Sequence, residues 1–243
     1  MGSRIKNIIP GNIRLINKAV FIGDEKILVI GDLHLGYEDQ LTAAGIYLPR
    51  IQLEQTLEDL EIIFKETGKV KEVVLLGDVK DAFGSVLRQE WKDAEVVIKL
   101  IKKYSEKIVV TRGNHDVLLK KMTKKLGVEM VDFYFKSGHF FMHGDIYANE
   151  VEAQEVKNIF LGHQHPAISM SEGVRVESYK CYLVGKWRGK RVYILPSFFP
   201  LVEGYDTRYE KNYLALPLKF KDFEVYAVGD DKGVYGLGKM GKI

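Results

Sequence analysis

The stretch NIFLGHQHP, residues 158–166, carries the pattern from which the rest of the chain can be read. An apolar run stops at Gly162, two histidines follow two residues apart, and Pro166 closes the segment. A short apolar run ended by glycine reads as a buried strand. Its exit holds two of the six histidines in the chain. The same order of strand, glycine and polar cluster recurs upstream. KILVI at 26–30 ends in GDLHLG, VVLL at 73–76 ends in GDVKD, and IVV at 108–110 passes through Thr111 and Arg112 into GNHD. FYF at 133–135 then precedes HFFMHGD.

Between these runs the spacing changes to a helical period. Pro49 opens a helix whose apolar positions Leu53, Leu57, Leu60 and Phe64 recur at three and four residues, and Gly68 closes it. A second amphipathic helix is expected over roughly 88–104. A short basic helix follows GNHD, with Leu118, Leu119 and Met122 as its inner face. Beyond Pro166, residues 174–184 and 189–195 alternate apolar and polar around WRGKR, which predicts an antiparallel hairpin. FEVYAV near the C-terminus reads as one more strand. No repeat, linker or low-complexity stretch divides the chain. A single domain over 1–243 is expected, its core at about 26–166 and completing strands at about 167–243. Strands alternating with helices early and hairpins late predict an α/β (α+β) fold, a mixed sheet system with helices outside.

Composition narrows the function classes. A net charge of +3 is too small to demand a polyanionic partner. One cysteine, Cys181, excludes an internal disulfide, and its neighbours Lys180 and Tyr182 offer no base for a catalytic thiol, so it is read as a core residue. Asn12, Arg14, Asn17 and Lys18 interrupt any apolar leader, and no stretch approaches a membrane span. Cytoplasmic residence without a membrane partner is expected.

The strand exits hold the chemistry. They deliver Asp32 and His34, then Asp78 and Asp81, then Asn114, His115 and Asp116, then His143, then His163 and His165. Open α/β sheets bind ligands beyond the carboxyl ends of their strands, so five exits supply one rim. Alone, a Gly-Asp pair is a turn or cap and GNHD is a turn. Together, they select metal-ligand types at every exit. Imidazoles, carboxylates and an amide without thiolates suit Mn, Fe, Zn or Co. The donors exceed what one tetrahedral ion needs and suit two ions about 3.5–4 Å apart. Asp78, on a middle strand, is the candidate bridge.

Taken in order, DLHLG (32–36), GDVKD (77–81), GNHD (113–116), HGD (143–145) and GHQH (162–165) resemble the five motifs of the calcineurin-like metallophosphoesterases. DLHLG and GHQHP are particularly similar to the SbcD-like repair nucleases and the small ligase-associated phosphoesterases. The resemblance implies a four-layer α-β-β-α sandwich with two mixed sheets flanked by helices. It implies two divalent ions, Mn²⁺ first and Fe, Zn, Co or Ni as alternatives. Asp32, His34 and His165 would hold one ion, Asn114, His143 and His163 the other, and Asp78 both. His115 would protonate the leaving oxygen, with Asp116 hydrogen-bonded to its second ring nitrogen. Asp81 stands where the repair-nuclease branch often has a histidine and is read as a supporting residue. About seventy-seven residues follow Pro166, and the superfamily fold needs many of them, so duplex-end processing by the full repair-nuclease machinery is not expected.

The expected reaction is phosphoester hydrolysis, with a phosphodiester and nuclease-like substrate favoured, a phosphomonoester second and a non-enzymatic scaffold third. Nucleic acid is admitted as a partner by the basic runs Lys120, Lys121, Lys124, Lys125 and Lys186, Arg188, Lys190, Arg191, although a solvated surface explains them better. Arg112 is a candidate phosphate contact. In an extended GHQHP segment, side chains two apart project together, which would bring both imidazoles to the ions. Oligomeric state is left open by the sequence.

Overall fold

Three of the described strands, at 19–22, 27–30 and 139–142, are buried at every position, and this decides where they sit. In the computed structural model, which describes residues 3–4, 9–81, 88–116, 119–173, 175–209 and 211–243, Ile27–Ile30 is buried at every position. Strands covered on both faces read as continuous apolar runs and lie in the middle of layered α/β structures. After a two-residue strand at Ser3–Arg4 (β1), the hairpin Ile13–Ile16 (β2) and Ala19–Ile22 (β3) leads into Ile27–Ile30 (β4). Helices Tyr37–Ala43 (α1) and Gln52–Thr67 (α2) return the chain to Val70–Leu75 (β5). Arg88–Tyr104 (α3) leads to Ser105–Thr111 (β6), and Lys120–Lys125 (α4) to Glu129–Val131 (β7). This first sheet has the order β2-β3-β4-β5-β6-β7, antiparallel through the hairpin and parallel from β4 onward.

The second sheet takes the rest of the chain. Phe133–Lys136 (β8), His139–Met142 (β9), Asn158–Leu161 (β10), Pro166–Glu172 (β11), Arg175–Trp187 (β12), Lys190–Ile194 (β13), Tyr205–Asp206 (β14), Glu224–Val228 (β15) and Val234–Lys239 (β16) follow in order. Their order is β1-β16-β15-β12-β13-β10-β9-β8, with β11 and β14 joined through β12. β9, β10 and β13 run parallel; the hairpin β12–β13 is antiparallel, as the WRGKR turn predicts.

The two sheets stack face to face. Ile13, Val29, Val74 and Leu76 of the first meet Phe141, Phe160, Tyr182 and Tyr193 of the second in a shared core. α2 and α3 cover the outer face of the first sheet through Leu60, Phe64, Ala94 and Ile101. The outer face of the second is closed differently. Short 3-10 turns and the segment carrying Leu214, Leu216, Leu218 and Phe223 form that layer, with Val151 and Met240. Cys181 lies fully buried beneath it, where burial pushes its thiol well up. Among the described residues no helix is long and apolar enough to cross a membrane.

Local chemistry accounts for the differences from expectation. α2 begins at Gln52 rather than Pro49, because the Glu38 carboxylate accepts the N–H groups of Ile51 and Gln52 at 2.7 and 2.9 Å and so caps the helix from a distance. Its end is as expected: Gly68 takes φ 68° and donates to the Phe64 carbonyl at 2.8 Å. α3 occupies the expected span. Of the expected inner face of α4, Leu119 is buried, while Leu118 and the Met122 side chain lie outside the described residues. The N-terminal hairpin escapes a polarity reading because its turn residues, Asn17 and Lys18, are buried.

Tyr182 ties the sheets together. Its ring is fully buried, and its hydroxyl on β12 donates towards the carbonyls of Asn17 and Ala19, 2.8 and 2.9 Å away at the β2–β3 turn. Tyr182→Phe leaves those buried acceptors without that donor. It should cost about 1–3 kcal/mol of unfolding free energy in urea titration, with no change in circular dichroism of the native state.

Candidate metal centre

The exits of β4, β5 and β6 on one sheet and of β9 and β10 on the other open onto the same place. Three overlapping groups form there: Asp32, His34 and His165; His34, Asp78 and His115; Asp78, His143 and His163. Within each group the donor atoms lie within 4.8 Å of one another. Asp78 belongs to two of them.

The backbone is bent to achieve this. His34, Asp78, His163 and His165 have φ of 43°, 44°, 61° and 45°. Such left-handed conformations are uncommon for residues other than glycine, and at functional sites strain of about 1–3 kcal/mol each is held by surrounding structure. The holding bonds are visible. The Asp78 carbonyl accepts from Leu33 N at 3.1 Å and His34 N at 2.9 Å, and the Asp32 carbonyl accepts from Phe198 N at 2.8 Å and Phe199 N at 3.1 Å. Gln52 Nε2 donates to the His34 carbonyl at 2.6 Å. Close approach also requires glycine at two points. A Cβ on Gly113 would stand 2.1 Å from Asp78 Oδ1, and one on Gly162 would stand 2.7 Å from Asp32 Oδ2.

The left-handed turns correct the extended reading of GHQHP. His163 and His165 are each rotated by their own backbone and go to different donor groups. Gln164 between them points into the protein, where its Oε1 accepts from Tyr213 N at 2.9 Å and its Nε2 donates to the Lys211 carbonyl at 3.1 Å.

Lone pairs converge in the centre. His143 Nδ1 faces the Leu76 carbonyl at 2.7 Å and must donate to it, which leaves Nε2 as the nitrogen that can take either a second proton or a cation. That Nε2 lies 3.0 Å from Asn114 Oδ1, 3.0 Å from His163 Nδ1 and 3.3 Å from Asp78 Oδ2. On the other side His34 Nδ1 faces Asp81 Oδ1 at 2.9 Å, and His34 Nε2 stands 3.3 Å from His165 Nε2, itself 3.3 Å from Asp32 Oδ1. Outer nitrogens tied to oxygen acceptors and inner nitrogens aimed at a common point is the arrangement of imidazoles prepared to bind cations. The electrostatics agree. Burial opposes charge on His143, but the Asp78 hydrogen bond and the charges of Asp32 and Asp78 outweigh it and push its pKa up to about 10. Burial likewise opposes ionisation of Asp32, and the neighbouring His165, His143 and His34 more than reverse it, holding the carboxyl far below its ordinary range. The residues present therefore fit divalent cations.

Asp116 does not reach the ring of His115 as expected. Its oxygens accept from Val79 N at 3.1 Å and Gly113 N at 3.2 Å, bracing two loops, and burial together with the Asp78 charge raises its pKa to about 7. His115 Nδ1 instead meets the backbone carbonyl of Asp81 at 2.5 Å, while Nε2 lies 4.0 Å from Asp78 Oδ2. Asp81 thus supports His34 with its carboxylate and His115 with its carbonyl. Its other oxygen accepts from Gln40, and its own N–H donates to Glu90 Oε1 at 3.0 Å. Gln40, Gln52 and Glu90 escape sequence reading because nothing in their spacing points to the exits. Arg112 stands outside the donor groups: it pairs with Asp132 at 3.0 Å and lines a cavity of about 230 Å³ with His143 and Tyr147.

The calcineurin-like phosphoesterase profile matches residues 25–229. The chain belongs to that family. Among solved structures, a nuclease MPE of Pseudomonas putida aligns over 98% of this chain and 100% of its own at 20% identity with a TM-score of 0.66, and so shares the fold. The Escherichia coli phosphoesterase YfcE aligns over 74% of this chain and 83% of its own, at 16% identity and a TM-score of 0.37. No curated protein matches significantly.

Gly113→Ala should press on the Asp78 carboxylate and cost about 1–3 kcal/mol, as overpacking does. Gly189→Ala, where a Cβ meets nothing within 4 Å but φ is 80°, should cost only about 1 kcal/mol by comparison. Thermal unfolding of the two variants side by side checks the order.

Proposed function

We propose that this chain is a dinuclear-metal phosphoester hydrolase that prefers diesters, acting as one catalytic domain over its whole length. The observation that carries the reading is the convergence of two donor groups on Asp78. Asp32, His34 and His165 would hold one ion, Asn114, His143 and His163 the other, and Asp78 would serve both. When bound, two divalent ions, Mn²⁺ by the ligand set, would activate water and neutralise phosphoryl charge.

The chain's own residues do the rest. His115 keeps Nδ1–H on the Asp81 carbonyl, so its ring is held with Nε2 towards the donor cluster. Protonated at both nitrogens, it gives the Nε2 proton to the leaving oxygen and keeps its orientation through Nδ1. Asp81 is a positioning residue for both this ring and His34. Asp116 acts only through the loops that it braces.

Two features favour a diester, and a nucleic acid among diesters. Tyr205 and Tyr213 flank the His163–His165 turn, about half exposed, with ring centroids 6.2 Å apart; Tyr205 N bonds the His165 carbonyl at 2.9 Å. Exposed aromatic faces beside a phosphodiester site are places for bases to stack. The P. putida protein of the same fold is a nuclease. The basic runs contribute less: Arg188 pairs with Glu152, Arg191 donates to the Pro10 carbonyl at 3.1 Å, and Lys190 to that of Val156 at 3.0 Å.

In Mn²⁺, an aryl phosphodiester should be hydrolysed faster than the matching monoester; the reverse preference would move the substrate to phosphomonoesters. His115→Ala should lower turnover about 10²–10⁴-fold with two ions still bound by elemental analysis. Ion loss in that variant would contradict the role given to His115.

A further inference from the structure

Beside Pro200 lies a polar cavity of about 240 Å³ whose lining includes none of the donor residues and which the hydrolytic chemistry does not use. Its floor is made of Asn17, Lys18, Asp59 and Lys180, all at most 6% exposed. Charged side chains are seldom buried so fully unless paired. Asp59 is fully committed: Lys18 Nζ lies 2.5 Å away, Lys232 Nζ 3.2 Å, and Asn17 Nδ2 donates to it at 2.9 Å. Lys180 has no carboxylate at ion-pair distance among the described residues; its ammonium meets only the backbone carbonyls of Val202 and Glu203. Burial, with the charge of Lys18 adding to it, brings the Lys180 pKa down to about 7 against the opposing charges of Glu203, Asp32 and Asp59. The floor therefore holds one basic nitrogen more than it has carboxylate to pair, and an anion beside Lys180 would hold it protonated.

The floor also carries an orphan acceptor. The bond from Asn17 Nδ2 to Asp59 fixes the amide orientation, and Asn17 Oδ1 then has no donor among the described residues. A buried acceptor left so costs free energy that a bound donor recovers. An anion alone answers Lys180 but turns lone pairs towards Asn17. An oxyanion that still carries an O–H answers both. The carboxylates of Glu58 and Asp230 stand at the exposed mouth, where solvent screens them; Glu203, also exposed, acts on Lys180 through its charge without reaching ion-pair distance.

We propose that this cavity is a binding site for a small protonated oxyanion, with its charge on Lys180 and its O–H on Asn17. The site is wired to the donor cluster: Lys18 donates to the Phe198 carbonyl at 3.0 Å, and Phe198 N donates to the Asp32 carbonyl at 2.8 Å. An occupant would steady the turn that holds Asp32.

Hydrogen phosphate and sulfate provide the test, being alike in shape and charge and different in the O–H. The metal-loaded protein is treated with an amine-acylating reagent, and modification of Lys180 is followed by peptide mass spectrometry. Hydrogen phosphate should protect Lys180 with an apparent affinity roughly 5- to 100-fold above that of sulfate at equal ionic strength. In thermal denaturation, the excess stabilisation by phosphate over sulfate should shrink in Lys180→Met, which leaves phosphate binding at the metal centre untouched. Equal protection by both anions, protection by neither, or an unchanged phosphate excess in Lys180→Met would overturn the proposal.

Discussion

Everything in this molecule depends on the face-to-face contact of the two sheets. Asp32, His34, Asp78, Asn114 and His115 come from the first sheet, and His143, His163 and His165 from the second. Of the three donor groups, that of His34, Asp78 and His115 comes from the first sheet alone, while those of Asp32, His34 and His165 and of Asp78, His143 and His163 each draw on both. What sets their register is apolar: Val29, Val74, Leu76, Phe141, Phe160 and Tyr193 interlock in the shared core, and Tyr182 adds a directional bond across it. The hydrophobic effect supplies the energy of that contact but little direction. Close packing and the tyrosine hydroxyl supply the position, and the donors inherit it.

The strain at the strand exits follows from the same contact. With both sheets fixed, the short loops between strand and helix must turn sharply to aim their side chains at one point. Left-handed backbone at His34, Asp78, His163 and His165 is how they do so. Gly113 and Gly162 stand where a side chain would displace Asp78 or Asp32. The conformations are pinned by hydrogen bonds: His34 N donates to the Asp78 carbonyl, His163 N to the Asp32 carboxylate and Tyr205 N to the His165 carbonyl. A set of inward-facing nitrogens and carboxylates within hydrogen-bond distance of one another is electrostatically costly without cations. The elevated His143 pKa expresses that demand, since a proton is the smallest cation able to meet it.

The strand exits were legible because buried parallel strands leave long apolar runs that end abruptly at glycine. β4, β5, β6 and β10 read this way, and so did the periods of α2 and α3. The donor residues were legible because histidine and aspartate at five such exits have no common packing explanation. The resemblance to the metallophosphoesterases then suggested how to sort them. Other features depend on tertiary contact and leave no local trace. Asp81 and Asp116 are both aspartates beside the cluster, yet the ring of His115 rests on the Asp81 backbone while Asp116 braces amides. The start of α2 is moved by Glu38, thirteen residues upstream of Ile51. Lys18 and Lys180 look like surface residues in sequence, yet both are buried: Lys18 donates to the Phe198 carbonyl, distant from it in sequence, and Lys180 to those of Val202 and Glu203.

The central claim is that this rim gathers two ions around Asp78. Anomalous X-ray diffraction from crystals grown with Mn²⁺ tests it most directly. Two anomalous peaks are expected, one against Asp32, His34 and His165, the other against Asn114, His143 and His163, with Asp78 touching both. A single peak, or two peaks that do not share Asp78, would contradict it.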